Sequence, residues 1–176
     1  MNINNAIKDV SDVYKNLKEI VDGVVKKHSN GIDMIFAEIK KYSDKLELLP
    51  NKEIIGWMLR LQIAEYEFSA KKDDAQLMQE CSAILTKVTQ ASIYALSDGT
   101  QSARSNKALI DTQDKQLVTA VYNAVSSNMK TKLDECHRMM NLLNSVLISN
   151  NAEARRKNAR IDDDLYGNNI SEDSEV

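Results

Sequence analysis

Apolar residues recur at steps of three and four along most of this chain, with polar residues between them. Such steps place apolar side chains on one stripe of an α-helix. Two long stripes, over 77–95 and over 117–147, flank the segment 97–101. Gly99 can take a positive φ and end the first helix, and Thr100 can cap the second. The pattern predicts a long antiparallel helical hairpin with its turn at 97–101.

The first 49 residues carry a narrower stripe with the seven-residue spacing of a coiled coil. Ser29-Asn30-Gly31 interrupts it, either as a helix end and restart or as a stutter within one long helix. The Asn-Gly turn chemistry favours the break. Because a narrow stripe covers less surface than a globular core helix needs, pairing with another chain is favoured over packing within the chain. The predicted oligomerisation residues belong to this stripe: Ile7, Val10, Tyr14, Leu17, Val21 and Val24.

Two composition changes divide the chain. Pro50 is the single proline, and it marks a boundary because proline is tolerated at a helix start and disfavours helix in the residue before it. After the hairpin the apolar pattern stops and blocks of like charge begin, which predicts disorder. The basic half of this segment can alternatively prolong the last helix by two turns. The sequence therefore predicts an all-α fold in three parts: heptad-patterned, coiled-coil-like N-terminal helices over 1–49, a helical bundle centred on the hairpin over 50–149, and a disordered acidic tail over 150–176.

Charge and composition narrow the function. Residues 150–176 hold four basic and seven acidic side chains, which leaves 19 of each in residues 1–149. A neutral body counts against a high-affinity monomeric DNA binder but not against a local basic patch. The two cysteines and two histidines fit no metal-binding or nucleophile motif, so we expect neither an enzyme nor a cofactor. With no secretory leader and no membrane-length apolar run, we expect a cytoplasmic protein (host cell cytoplasm if viral) without a membrane or small-molecule partner.

Basic residues gather around the predicted turn. Arg104 and Lys107 lie one turn apart just after it, Lys115 extends that row, and Lys87 lies about three helical turns before it. The group is either an ordinary solvated helix surface or a modest phosphate-binding patch that oligomerisation repeats. The candidate nucleic-acid-binding residues are these four together with a basic run in the tail: Lys87, Arg104, Lys107, Lys115, Arg155, Arg156 and Lys157.

A family resemblance follows the same residues. An aromatic helix end before a glycine turn, Tyr94 to Gly99, precedes the segment Ala103-Arg104-Ser105-Asn106-Lys107-Ala108, and a long helix then leads to the pair Arg155-Arg156. This arrangement resembles the T4-type phage recombination mediators of the UvsY family. The resemblance implies a small, helical, homo-oligomeric protein that binds single-stranded DNA and loads a recombinase onto strands covered by single-strand-binding protein. The alternative is a helical structural or assembly protein of a virus, such as a small terminase subunit, a scaffold or a virion component, that acts through protein–protein contacts.

Overall fold

The computed structural model describes the backbone of residues 3–166 and the side chains of residues 11–157. It contains helices and no strand within that range, and the predicted all-α fold is confirmed. In chain order the elements are α1 (Ile3–Lys40), a 3-10 helix (Ser43–Leu48), α2 (Asn51–Leu96), α3 (Gln101–Ile110) and α4 (Gln113–Tyr166). No helix in the described part is both long and apolar enough to cross a membrane.

Helices α2 and α4 form the predicted antiparallel hairpin. At its base, Asn51 at the start of α2 donates a side-chain hydrogen bond to Asn151 of α4 over 2.8 Å. Nearer the turn, the hydroxyls of Ser82 and Thr119 lie 2.8 Å apart. Residues early in α2 therefore meet residues late in α4, and the long hairpin is confirmed.

The apolar core lies in the half of the molecule near the hairpin base, which we call the proximal half. Its most buried members come from three helices: Ile32 and Ile39 of α1; Ile54, Leu61 and Phe68 of α2; Met129, Cys136 and Leu143 of α4. Trp57 is also buried, and its ring centroid lies 5.7 Å from that of Tyr42. Burial of side chains this large is the main favourable term in folding.

The predicted break at Ser29-Asn30-Gly31 is wrong, because α1 runs through it without interruption. Ser29 is buried, and its hydroxyl donates to a carboxylate oxygen of Asp33 over 2.5 Å, one turn further along. Gly31 faces α2 closely enough that an added Cβ would lie 3.7 Å from the Cβ of Ala64. Tertiary packing therefore keeps the helix intact where local turn chemistry favoured an end.

The N-terminal stripe divides between the chain's own core and its surface. Val21 is 5% exposed and borders a groove of about 420 Å³ between α1 and α4, with Val121 across from it. Val21 is therefore covered mainly by α4 of its own chain, and its predicted role in oligomerisation stays a prediction. Leu17 is half-buried in the same groove, whereas Tyr14 and Val24 are exposed. The side chains of Ile7 and Val10 lie outside the described residues, and the oligomerisation role of these remaining positions stays a prediction.

In the half near the turn, which we call the distal half, α2 packs against α3 and α4 with its polar side and not with its apolar stripe. The apolar stripe over 77–95 points away from α3 and α4: Leu77, Ile84 and Val88 are each more than half exposed. Polar residues occupy the packed side instead, with Thr86 buried and bonded to the main-chain oxygen of Ser82 over 2.8 Å. The interpretation of this stripe as part of the hairpin interface is therefore wrong.

The segment after the turn also differs from the prediction of one continuous helix. α3 ends at Ile110, and α4 begins after Asp111 and Thr112. The Thr112 side chain is fully buried, donates to the carbonyl of Ala108 over 2.7 Å and accepts from the Gln90 amide over 3.1 Å. Through these hydrogen bonds, the buried polar groups at the helix break find partners within the protein.

α4 continues through the basic half of the predicted tail to Tyr166, which agrees with the alternative that this half prolongs the last helix, although the extension is longer than two turns. Residues 167–176 lie outside the described range. Glu153 and Lys157 form an ion pair of 2.9 Å one turn apart, which supports helix in an exposed segment. The hydrogen bond from Lys157 holds the pKa of Glu153 below its usual range. The blocks of like charge indicated disorder. The residues around Glu153 and Lys157 nevertheless favour helix by type, and these two charges lie four residues apart, as an ion pair on a helix requires.

Candidate nucleic-acid interface at the hairpin tip

The tip is built by the turn residues that the sequence indicated. α2 ends at Leu96, and the Ser97 hydroxyl donates to the carbonyl of Ile93 over 2.6 Å. Gly99 has φ +106°, a conformation in which a side chain would be strained. Thr100 then caps α3, because its hydroxyl accepts a hydrogen bond from the backbone N–H of Ala103 over 3.3 Å. The predicted turn chemistry is confirmed at both residues.

Arg104 is held over an aromatic ring. Its guanidinium carbon lies 4.6 Å from the centre of the Tyr94 ring, and one of its terminal nitrogens lies 3.5 Å from the Tyr94 hydroxyl. Stacking of this kind is a favourable cation–π contact. It orients the guanidinium without neutralising its charge. The Nε atom of Arg104 is buried and has no hydrogen-bond partner within the described part of the chain.

An open groove separates α2 from α3 beside this pair. It has a volume of about 410 Å³ and mixed polar and apolar walls, with Lys87, Gln90 and Tyr94 on one side and Ser105 and Leu109 on the other. Lys87 and the Arg104–Tyr94 pair thus border the same concave surface. Sequence reasoning placed these two cations near each other, and the structure brings them together.

The other two predicted cations at the tip take different positions. Lys107 is exposed on α3 but lies about 160° around the helix from the groove residue Leu109. Lys115 belongs to α4, and its ammonium group donates to the Thr89 hydroxyl over 3.0 Å. Since α3 and α4 are separate helices, the predicted row from Arg104 to Lys115 is wrong.

The four cations at the tip form no ion pair with any carboxylate whose position the structure describes. Among the described residues, none of Lys87, Arg104, Lys107 and Lys115 forms an ion pair. Earlier in α2, a carboxylate oxygen of Asp73 lies 3.0 Å from the Lys72 ammonium group, and one of Asp74 lies 3.3 Å from the Lys71 ammonium group, so both carboxylates pair with other lysines. Asp111, at the end of α3, is in no ion pair within that range either. The tip therefore holds four cations and three carboxylates, Asp98, Asp111 and Asp114, none of which is in an ion pair within the described residues. Four positive charges minus three negative ones leave a local excess of one positive charge.

The tail run Arg155-Arg156-Lys157 lies at the opposite end of the hairpin. At 1.5 Å per residue along α4, Arg155 is about 60 Å from Lys115. All three residues are exposed, and Lys157 pairs with Glu153. The seven predicted residues thus fall into two separate groups, four near the tip and three near the base.

The thiols and imidazoles do not assemble into a reactive site. Cys136 is fully buried among apolar side chains, and burial, aided by the charge of Glu65, raises the pKa of its thiol to about 11. His137 is exposed and hydrogen-bonds to Glu65. Cys81 is also exposed. No cluster of His, Cys, Asp or Glu in the described residues is suited to hold a metal ion.

Comparison with models of protein families, with curated proteins and with solved structures finds no match to this chain. The resemblance to the UvsY-type mediators therefore stays a prediction from the residues.

Proposed function

We propose that this protein is a non-enzymatic, oligomeric accessory of phage-type DNA recombination or replication that binds single-stranded DNA weakly and without base specificity. Its role in loading a recombinase onto strands covered by single-strand-binding protein rests on the family resemblance. The observation that carries DNA binding is that Arg104 and Lys107 of α3, and Lys87 of α2, form no ion pair among the described residues. Lys87 also borders the α2–α3 groove beside the Arg104–Tyr94 pair, whereas Lys107 lies outside that groove.

The arrangement suits phosphate rather than bases. The Tyr94 ring is half-buried and covered by Arg104, so it is not free to stack on a base. Arginine and lysine without acidic partners attract phosphate oxygens, and such contacts carry no sequence information. The body of the protein is neutral, so a single copy offers few contacts. Several copies on one strand would add their weak contacts into a useful affinity.

The test is the salt dependence of binding to a long single-stranded oligonucleotide. Each phosphate neutralised on a single strand contributes about 0.7 to the slope of log affinity against log salt. The double variant Arg104→Ala, Lys107→Ala should therefore reduce the slope by about 1.4 and weaken binding, with helicity and mass unchanged. The matched control is Lys130→Ala, Arg138→Ala, which removes the same charge from exposed positions of α4 away from the tip. It should change the slope much less.

A second candidate function is a structural or assembly protein of a virus. The exposed apolar stripe of α2 favours it, because contiguous apolar surface usually marks a protein contact. Absence of any oligonucleotide shift at about 50 mM salt, where counterion release is most favourable, would replace the DNA-binding proposal with this one.

A further inference from the structure

The distal half of α2 carries a complete heptad stripe on its outer side. The positions alternate by four and three residues, and every one of them is exposed: Ala70, Asp74, Leu77, Cys81, Ile84, Val88, Ala91 and Ala95. This stripe, which we call the outer seam, is about 39 Å long at 1.5 Å per residue. The opposite side of α2 carries the buried residues Ala75 and Thr86, so α3 and α4 cover that side. The seam residue Ala91 also borders the α2–α3 groove, but it stays exposed like the other seam residues.

We infer that the outer seam pairs with the outer seam of a second copy, with the two α2 helices antiparallel. In one register of such a pair, Leu77 faces Val88 of the second copy and Cys81 faces its Ile84. The small residues then meet at the ends, with Ala70 opposite Ala95. The one charged seam position, Asp74, falls near an end of the contact, opposite Ala91. Large apolar groups fill the middle and small ones the ends.

The residues flanking the seam fit this same register. On one flank Met78 meets Leu85 of the second copy, and these side chains are 49% and 55% exposed. On the other flank Glu80 meets Lys87 of the second copy, and the two-fold symmetry repeats the pair. Charges beside a coiled-coil seam set partner choice and orientation. A parallel pair would instead place Glu80 beside Leu85, so the charges select the antiparallel arrangement.

A second copy is therefore the partner that this surface fits best. Apolar positions, small positions and opposite charges all match their own symmetry mates, as an isologous interface requires. The inference rests on the oligomeric part of the proposed function and names its interface. It also assigns Lys87 to a contact between copies, which leaves Arg104 and Lys107 as the tip cations for phosphate. The two tips of such a dimer point in opposite directions.

The experiment measures the mass of the full chain by analytical ultracentrifugation over a range of concentrations without nucleic acid. We expect a concentration-dependent dimer. Ile84→Glu, which places a charge at the centre of the seam, should leave a monomer of unchanged helicity. Leu142→Glu makes the same change at a 48% exposed position of α4, outside the seam, and should still dimerise. A self-association constant that is the same in Ile84→Glu as in the unmodified protein overturns the inference.

Charge exchange tests the register. Glu80→Lys and Lys87→Glu should each weaken the dimer on the order of tenfold, because each converts two attractive pairs into two repulsive ones. The combined variant restores opposite charges and should restore the affinity. A combined variant no better than either single variant overturns the antiparallel register.

The chain offers an independent readout in Cys81. The Cys136 thiol is fully buried, so alkylation of the folded protein reports on the exposed Cys81. We expect the alkylation rate to fall at concentrations where the mass doubles, and to stay constant in Ile84→Glu. A rate independent of concentration in the unmodified protein contradicts the interface. Because no DNA is present, failure here leaves the tip test with Arg104 and Lys107 unaffected.

Discussion

The two halves of the hairpin are held together by different chemistry. In the proximal half, α1, α2 and α4 contribute apolar side chains such as Ile32, Leu61 and Leu143, each almost fully buried. In the distal half, α2 meets α3 and α4 through hydroxyls and amides. Thr119 lies 2.8 Å from Ser82, and the Gln90 amide donates to Thr112. Both halves are helical and of similar hydrophobic content in sequence, so composition alone does not separate them.

This difference shows how one helix can serve two interfaces. An apolar contact gains free energy from every buried group, whereas a hydrogen bond that replaces bonds to water contributes only about 1 kcal/mol net. The polar contacts of the distal half therefore fix how α2 aligns with α3 and α4, but they contribute little to the free energy of folding. Its apolar stripe stays outside, available to a partner. Variants that act on each half separately can break or sharpen this comparison.

The largest effect is expected in the proximal core. Phe68 is 2% exposed, and Phe68→Ala should lower the free energy of unfolding by about 3–5 kcal/mol through lost burial and a residual cavity. Denaturant unfolding measures the change. Tyr66→Ala, at an 82% exposed position two residues earlier, should cost less than about 0.5 kcal/mol. A loss below 1 kcal/mol for Phe68→Ala would show that the proximal half is not the stable part.

A smaller effect is expected in the distal polar contact. Thr112→Val keeps the shape but removes a fully buried hydroxyl that accepts from the amides of Gln90 and Gln116. We expect a loss of about 1–3 kcal/mol in the free energy of unfolding, because those amides lose a partner. Thr131→Val removes a hydroxyl from an exposed position of α4 and serves as the control. Equal losses in the two variants would mean that the distal network does not hold the helices.

The proximal core should also respond to alkaline pH through Cys136. Its thiol pKa is raised to about 11 from an ordinary value of 9.0. Since the folded pKa exceeds the unfolded one, the stabilisation is present below about pH 9 and is lost as the pH rises towards 11, by roughly 2 kcal/mol. Comparing unfolding at pH 8 and pH 11 for the natural chain and Cys136→Ala isolates this effect. Cys81→Ala, at the exposed cysteine, should retain the full pH dependence.

The smallest effects come from two glycines with opposite signs. Gly99→Ala should destabilise the protein by about 1–2 kcal/mol, because its φ of +106° is strained for alanine.

Gly31→Ala, within α1 and with room for a methyl group against Ala64, should stabilise the protein by about 0.5–1 kcal/mol. Thermal unfolding measures both. Destabilisation by Gly31→Ala would indicate a turn at Ser29-Asn30-Gly31 after all, and would contradict the continuous α1.

The sequence predicts local structure correctly at positions where the backbone conformation requires a particular residue type. Gly99 and Thr100 are the turn and cap that their types indicated, and Leu49 before Pro50 has extended backbone, with φ −78° and ψ 146°. The sequence predicts the arrangement of the basic residues at the tip only in part. Lys87 and Arg104 do border one groove, but Lys115 lies on another helix because of a break at Thr112 that periodicity does not signal.

The sequence by itself determined that the chain is helical, where its hairpin turns, and which residues form each apolar stripe. These follow from the spacing of side chains on a helix and from the backbone preferences of single residues. Only the tertiary structure decided which stripe is buried, that α1 continues through Ser29-Asn30-Gly31, and that a break at Thr112 puts Lys115 on a different helix from Arg104. An apolar stripe predicts that some surface of the helix will be covered, but it does not indicate which element or molecule covers it. On the distal half of α2, hydrogen bonds to α3 and α4 filled the opposite side and left the apolar stripe for another molecule.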